Sequence, residues 1–226
     1  MNEIIFFASF LLCSSCVMLF YKLFGECGLY AWISLAAVFA NIEVVKTVDI
    51  FGMQATLGNV LFGTIFACTD ILNERYGYAA SKRGVYIGFA AVLAYLMLSQ
   101  ICVLYRPGMD DFASESMSTI FRIAPRVCLT SVAMYLFSNL LDIRLFQAIK
   151  RRLPGDKWLW VRNNVATILS QCVENFLFTL GAFYGIYNMP LIINIAVTTC
   201  ILETIIAVMD TPFIYLAKHI RPLDER

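Results

Sequence analysis

Long apolar runs, separated by short polar or turn-forming breaks, dominate the chain. A helix that crosses the hydrocarbon core of a bilayer needs about 20 mostly apolar residues. The pattern predicts seven such helices, at about 3–24, 29–48, 56–76, 83–105, 121–148, 160–187 and 190–218. The breaks contain Gly25, Gly77, Pro107-Gly108 and Pro154-Gly155, which are residues typical of turns. We therefore predict an all-α, polytopic membrane helix bundle that forms one transmembrane domain over residues 1–226.

The composition supports a membrane protein and excludes several other classes. Apolar residues make up 60% of the chain and charged residues 15%, and the mean hydropathy is +0.74. Soluble domains are about half apolar and about a quarter charged. The formal net charge of +1 provides no basic field for nucleic acid, so we expect the lipid bilayer and no nucleic acid as a partner. The first residues lack a basic segment, which favours a retained helix over a cleaved signal peptide.

The charged connections predict an orientation in the membrane. With seven spans, three connections that fall on one side carry a basic cluster: Lys82, Arg83, Lys150, Arg151, Arg152, Lys157, Lys218 and Arg221. The positive-inside rule places this side in the cytoplasm, so we predict an external N-terminus and a cytoplasmic C-terminus in the cell (inner) membrane. An even number of spans would put basic loops on both sides. The polar segment 110–121 is predicted to be a short helix at the outer interface.

Polar residues recur at helical spacing within the third predicted helix. Asn59, Gly63, Phe66, Asp70 and Asn73 are separated by 4, 3, 4 and 3 residues, so they share one face. An ionisable residue inside a span usually faces the bundle interior, which makes Asp70 a candidate for a central polar cavity. The alternative is a structural ion pair between Asp70 and the loop residues 82–83. We predict that the neighbouring 74–75 pair binds basic residues at the cytoplasmic end.

A second polar stripe follows the sixth predicted helix. Asn164, Thr167, Gln171 and Glu174 are spaced by 3, 4 and 3 residues, and Glu174 lies near the middle of the span. A carboxylate at that depth is costly and favours a functional role. Glu203 in the last helix is a further candidate. By contrast, Asp142 is followed closely by Arg144, so a surface ion pair is expected there.

The cysteines and the known motifs give little sign of chemistry. Most of the eight cysteines lie in apolar runs, and Cys68, Cys128, Cys172 and Cys200 are expected to be buried thiols. Cys13 and Cys16 form a CxxC pair, which leaves a less favoured alternative of an intramembrane thiol enzyme. No zinc-protease, P-loop or hydrolase motif is present. We therefore predict no enzyme, no catalytic residue, no cofactor and no metal.

Four segments together resemble the queuosine precursor transporter family, which is related to the vitamin uptake transporters. They are NVLFGTIFACTDILNERYG, AASKRGVYIGF, RNNVATILSQCVENFLFT and LETIIAVMDTPFIYLAK. The resemblance extends over about 29–218 and implies a six-helix core like the substrate-binding subunits of energy-coupling-factor transporters, preceded by an extra N-terminal helix. It also implies import of 7-deazaguanines such as 7-cyano-7-deazaguanine, 7-aminomethyl-7-deazaguanine or queuine, which are precursors for tRNA modification.

This resemblance leads to a hypothesis for recognition. A carboxylate such as Glu174 can accept the N1–H and 2-amino donors of the base, while Gln171 serves its O6 atom. An aromatic ring from Phe66 or Phe178 can stack on the base. A carboxylate at position 203 would suit a cationic aminomethyl group. The candidate substrate-binding residues are Asn59, Phe66, Asp70, Asn164, Gln171, Glu174, Phe178 and Glu203.

The sequence leaves some alternatives to this transporter open. One is a substrate-binding subunit of an ATP-driven vitamin importer, which would need partner subunits. The chain itself contains no nucleotide motif, but a separate ATPase subunit would not be visible in it. The energy source and a homodimer are also open.

Overall fold

The computed structural model describes residues 1–44, 46–121, 125–185 and 188–223. Parts of the second, fifth and sixth predicted helices, at residues 45, 122–124 and 186–187, lie outside this range. The described helices are α1 Asn2–Glu43, α2 Asn59–Arg75, α3 Tyr78–Leu104, α4 Ser114–Phe121, α5 Pro125–Arg152, α6 Leu159–Phe183 and α7 Met189–His219. The connections contain the strands β1 Thr47–Ile50 and β2 Met53–Thr56 and a 3-10 turn, Asp156–Trp158. The predicted helical bundle is confirmed.

Four described segments are long and apolar enough to cross a membrane: Asn2–Glu43, Tyr78–Leu104, Val132–Arg152 and Met189–His219. This agrees with a membrane protein. Helix α2 is shorter, with 17 residues, and α6 carries the polar stripe. The count of seven spans therefore stays a prediction.

The first two predicted helices are joined in α1 and meet at Gly25. Gly25 has φ 52° and ψ −131°, a conformation that residues with a Cβ rarely adopt. The chain folds back there and brings the Phe20 and Trp32 rings into contact, with their centroids 5.6 Å apart. A Cβ at Gly28 would collide with the carbonyl of Phe20, so the two halves of α1 approach closely at the turn. The break predicted between the two helices is thus present.

A β-hairpin replaces the ends of two predicted helices. We expected helix up to residue 48 and again from residue 56, but β1 and β2 pair antiparallel across this region, with Ile50 opposite Met53. Phe51 and Gly52 form the turn with φ values of 53° and 72°, as in the tight turns that suit hairpins. The hairpin is fixed to the start of α1, where the Asn2 side chain donates to the Asp49 carbonyl at 2.9 Å. We call this side of the bundle the hairpin end.

The opposite side of the bundle, which we call the basic end, is organised by Glu74. This carboxylate lies at the end of α2 and pairs with Lys150 at 2.9 Å, Arg162 at 3.0 Å and Lys218 at 3.1 Å. It thereby joins α2 to α5, α6 and α7. Arg75 adds a hydrogen bond from its Nε to the hydroxyl of Tyr21 at 2.9 Å. The prediction that these two residues bind basic residues is confirmed for Glu74, and the cytoplasmic location of this end stays a prediction.

Helix α4 is the short helix expected within the polar segment. The Asp111 carboxylate accepts hydrogen bonds from the backbone N–H groups of Ala113 and Ser114, at 2.7 and 3.1 Å, and from the Ser114 hydroxyl. The Ser114 hydroxyl and these backbone donors hold the pKa of Asp111 below its usual value. The position of α4 at the membrane interface stays a prediction.

The main apolar core and the polar interior occupy different parts of the bundle. The core lies mainly between the halves of α1, α2 and α3, with buried side chains such as Tyr21, Leu29, Ile33, Ile65, Leu72 and Val85. The buried polar residues of α6 instead face α2, α5 and α7, and their side chains form hydrogen bonds or ion pairs with those helices. A site for a polar ligand is therefore expected around α6.

Candidate functional site

The polar stripe of α6 is buried along its whole length. Asn164 and Glu174 are each 9% exposed, Thr167 is 3% exposed and Gln171 is 1% exposed. The prediction that this face points into the bundle is confirmed. Burying so many polar groups is costly unless they find partners, so their partners show what each group does.

Glu174 of α6 and Glu203 of α7 are close enough to interact electrostatically, and we call them the glutamate pair. Asn175 donates from its amide to Glu203 Oε2 at 2.7 Å and so fixes one member of the pair. The Thr179 hydroxyl donates to the Asn175 carbonyl at 2.6 Å. Glu174 Oε2 is buried and has no hydrogen-bond partner among the described residues. The pair therefore has one positioned carboxylate and one that is free to accept.

Gln171 lies one helical turn from Glu174 on the same face of α6. Both polar atoms of its amide are buried without a hydrogen-bond partner in the described part of the chain. A buried polar group that lacks a partner costs about 1–3 kcal/mol. The amide donor and acceptor of Gln171, next to a free oxygen of Glu174, therefore form a set of groups that a polar ligand could satisfy.

Aromatic side chains lie beside this set. The Tyr135 hydroxyl is buried close to Glu174 and has no hydrogen-bond partner within the described residues. The Tyr135 and Phe62 rings pack edge to face with their centroids 6.3 Å apart, and the centroids of the Phe62 and Phe66 rings are 5.3 Å apart. Phe178 is half-buried one turn beyond Glu174. Tyr135 was missed in the sequence because a tyrosine in an apolar helix carries no distinguishing signal.

The surface position predicted for Asp142 is wrong. We expected a surface ion pair with Arg144, but Asp142 is fully buried and Arg144 is exposed. Residues two apart on a helix point to different faces, so the two side chains cannot meet. Asp142 Oδ1 instead accepts from the hydroxyls of Thr167 at 3.1 Å and Ser170 at 3.4 Å. Asp142 is thus part of the polar interior.

Asp70 lies beside Asp142, and we call these two residues the aspartate pair. Asp70 is fully buried, and neither of its carboxylate oxygens has a hydrogen-bond donor among the described residues. Asp210 of α7 is also near. The alternative of an ion pair between Asp70 and the loop residues 82–83 does not apply, because Asp70 is enclosed between helices and Arg83 is exposed.

The structure groups some of the predicted site residues and separates others. Gln171, Glu174 and Glu203 lie together, whereas Asp70 of α2 lies near Thr167, which is one turn before Gln171 on α6. Asn164 lies nearer the basic end and donates to the Thr211 hydroxyl at 2.7 Å. Asn59 is half-buried at the start of α2. Two clusters of carboxylates therefore follow one another along α6.

The prediction of free thiols is also wrong for two of the cysteines. Cys172 and Cys200 were expected to be free thiols, but the structure joins them in a disulfide between α6 and α7. Their Cα atoms are 5.4 Å apart because they lie on facing turns, within the distance a disulfide can span. Cys13 and Cys16 are free and half-buried. The side chain of Cys128 lies outside the described residues.

Comparisons with known proteins agree with a transporter. A family model described as "Putative vitamin uptake transporter" matches residues 56–217. The chain is 43% identical over 210 residues to a Bacillus subtilis (strain 168) protein named "Probable queuosine precursor transporter". The match covers 93% of this chain and 92% of that relative. No solved structure matches the chain.

Proposed function

Because the chain belongs to the vitamin uptake transporter family, we propose that this membrane transporter imports a queuosine precursor with a 7-deazaguanine base. The relative named for this activity matches over nearly its whole length, which supports the same substrate class. The likeness to a transporter also argues against the intramembrane thiol enzyme. The observation that carries the proposal is the set of unsatisfied polar atoms on Glu174 and Gln171.

These atoms match the edge of a deazaguanine base. The base presents two adjacent donors, N1–H and the 2-amino group, beside the O6 acceptor. A carboxylate can accept two donors at once, and an amide N–H₂ can donate to O6. Glu174 would therefore bind the two donors, and Gln171 would bind O6. The ligand's donors would also remove the cost of the buried, unpartnered Glu174 oxygen.

The same arrangement would reject adenine. Adenine has no pair of adjacent donors on the corresponding edge, so it would leave the Glu174 carboxylate unsatisfied. An aromatic ring such as Phe66 or Phe178 would stack on the base without distinguishing one base from another. Selectivity would thus come from Glu174 and Gln171.

Glu203 favours a cationic substituent on the base. Asn175 holds this carboxylate next to Glu174. Three basic groups at the basic end, Lys150, Arg162 and Lys218, are instead bound to Glu74. An ammonium group on the ligand would offset one negative charge of the glutamate pair. We therefore expect 7-aminomethyl-7-deazaguanine to bind more tightly than the uncharged 7-cyano form.

Uptake into liposomes tests the proposed function. The purified protein, reconstituted without ATP or other subunits, should take up labelled 7-aminomethyl-7-deazaguanine, and unlabelled adenine should not compete. Liposomes without protein give the background. Uptake that strictly requires ATP and added subunits would favour the substrate-binding subunit of an ATP-driven importer. Failure of all three deazaguanines to enter or compete would contradict the proposed substrate class.

A further inference from the structure

The aspartate pair is surrounded by acceptors that lack donors. The buried oxygens without a hydrogen-bond partner among the described residues include both oxygens of Asp70 and Oδ2 of Asp142. The side-chain oxygens of Asn73 and Asn139, one turn away on α2 and α5, are also buried and unpartnered. All of these atoms are acceptors. Among the described residues, the site therefore has more buried acceptors than donors directed at them.

The donors that do reach the pair come from α6. Thr167 and Ser170 donate to a single oxygen, Asp142 Oδ1. The amide of Asn73 is used by the Ile143 carbonyl at 3.4 Å, and that of Asn139 by the Tyr135 carbonyl at 2.9 Å. These bonds leave Asp70 and the second oxygen of Asp142 without a donor.

The charged groups around the pair do not neutralise it. Helix α7 presents Asp210, which adds a further carboxylate, and α2 presents Glu74. The cations Lys150 of α5, Arg162 of α6 and Lys218 of α7 are held by Glu74. On the remaining sides, α1 presents Ser14 near Asp210, and α3 presents Ser81, whose hydroxyl donates to the Thr69 carbonyl at 2.8 Å. Neither is a cation.

Two adjacent carboxylates in a buried site cannot both be ionised without a large electrostatic cost. A proton bound to the pair removes a charge and supplies a missing O–H donor. We propose that Asp70 and Asp142 form a proton-binding site that couples import to a proton gradient. The coupling rests on the proposed transport function, whereas the bound proton itself does not.

The proton-binding site is connected directly to the proposed substrate site. Ser138 precedes Asp142 by one turn of α5 and lies beside Glu174. On α6, Ser170 bonds to Asp142 and lies one turn before Glu174. Proton binding alters how tightly α5 and α6 are held against α2, so it changes the substrate site that the same two helices form. The proton enters with the substrate and leaves the pair when the helices separate and water hydrates the carboxylates.

Infrared difference spectroscopy tests for the bound proton without any transport. The purified wild-type protein should show the C=O stretch of a protonated carboxyl group at neutral pH, and this band should shift in heavy water. Asp142→Asn and Asp70→Asn should each remove or displace it, whereas Asp110→Asn, an exposed aspartate, should leave it unchanged. A spectrum that is the same in wild type and in both pair variants would overturn the proton-binding site.

Flux measurements in liposomes test the coupling. Substrate addition to the wild type should cause proton entry, detected with a trapped pH dye, and an imposed pH gradient should drive accumulation. Asp142→Asn should lose gradient-driven accumulation but keep exchange of labelled for unlabelled substrate, which needs no net proton movement. Asp70→Asn is the second variant if Asp142→Asn does not fold. Accumulation driven by sodium, or wild-type transport without proton movement, would overturn the coupling. The absence of both binding and transport would instead contradict the proposed function.

Discussion

Individual residues of the polar interior could be predicted where spacing alone decides the face. Gln171 and Glu174 recur at helical spacing, and both are buried as expected. Asp142 was placed wrongly because a nearby arginine in sequence suggested an ion pair that the helix geometry does not allow. Its real partners, Thr167 and Ser170, come from another helix. Contacts of that kind depend on tertiary packing, which a local pattern does not contain.

Glu74 gives a prediction for stability at the scale of a single residue. Arg162 is fully buried beneath it, so Glu74→Ala would leave a buried charge without its carboxylate partner. Breaking a buried ion pair in this way costs roughly 3–5 kcal/mol. Thermal unfolding in detergent should show a large loss of stability for Glu74→Ala and almost none for Glu115→Ala, an exposed residue of α4. Equal effects of the two substitutions would show that the ion pairs of Glu74 do not stabilise the bundle.

At the scale of elements, the long helices could be predicted and their connections could not. The predicted ends of α7 lie within one residue of the observed ones, because apolar length and breakers define them, whereas α3 ends within one residue of its prediction but begins five residues earlier. The hairpin was missed because its strands are only four residues each and follow a long apolar run. The local signal was Gly52 beside the β-branched residues of β1, which is characteristic of a tight hairpin. Gly25 was recognised as a break, although not as a sharp turn within α1.

For the whole molecule, the structure gathers basic groups at one end of the bundle. Lys150 of α5, Arg162 of α6 and Lys218 of α7 meet there around Glu74, while the hairpin and the start of α1 lie at the other end. The sequence predicted that basic residues would share a side, because charge bias in loops reports on topology. The arrangement of two carboxylate clusters along α6 could not be predicted, since it depends on how α2, α5 and α7 pack against α6.

Labelling of introduced cysteines tests the proposed orientation. In a variant whose native cysteines are replaced by serine, Asp111→Cys should react with an impermeant reagent from outside intact cells. Arg151→Cys should react only after the membrane is opened, because the positive-inside rule places the basic end in the cytoplasm. Reaction of both positions from the same side would contradict an external N-terminus with seven spans.

Calorimetric binding to purified protein tests most directly whether Glu174 recognises the base of a 7-deazaguanine. Wild-type protein should bind 7-aminomethyl-7-deazaguanine and not adenine. Glu174→Gln should weaken binding of the deazaguanine by roughly 1.5–3 kcal/mol, the range for a hydrogen bond to a charged group. The exposed control Glu115→Gln should bind like the wild type. If a folded Glu174→Gln protein binds with unchanged affinity, Glu174 does not read the base, and Glu203 becomes the next candidate.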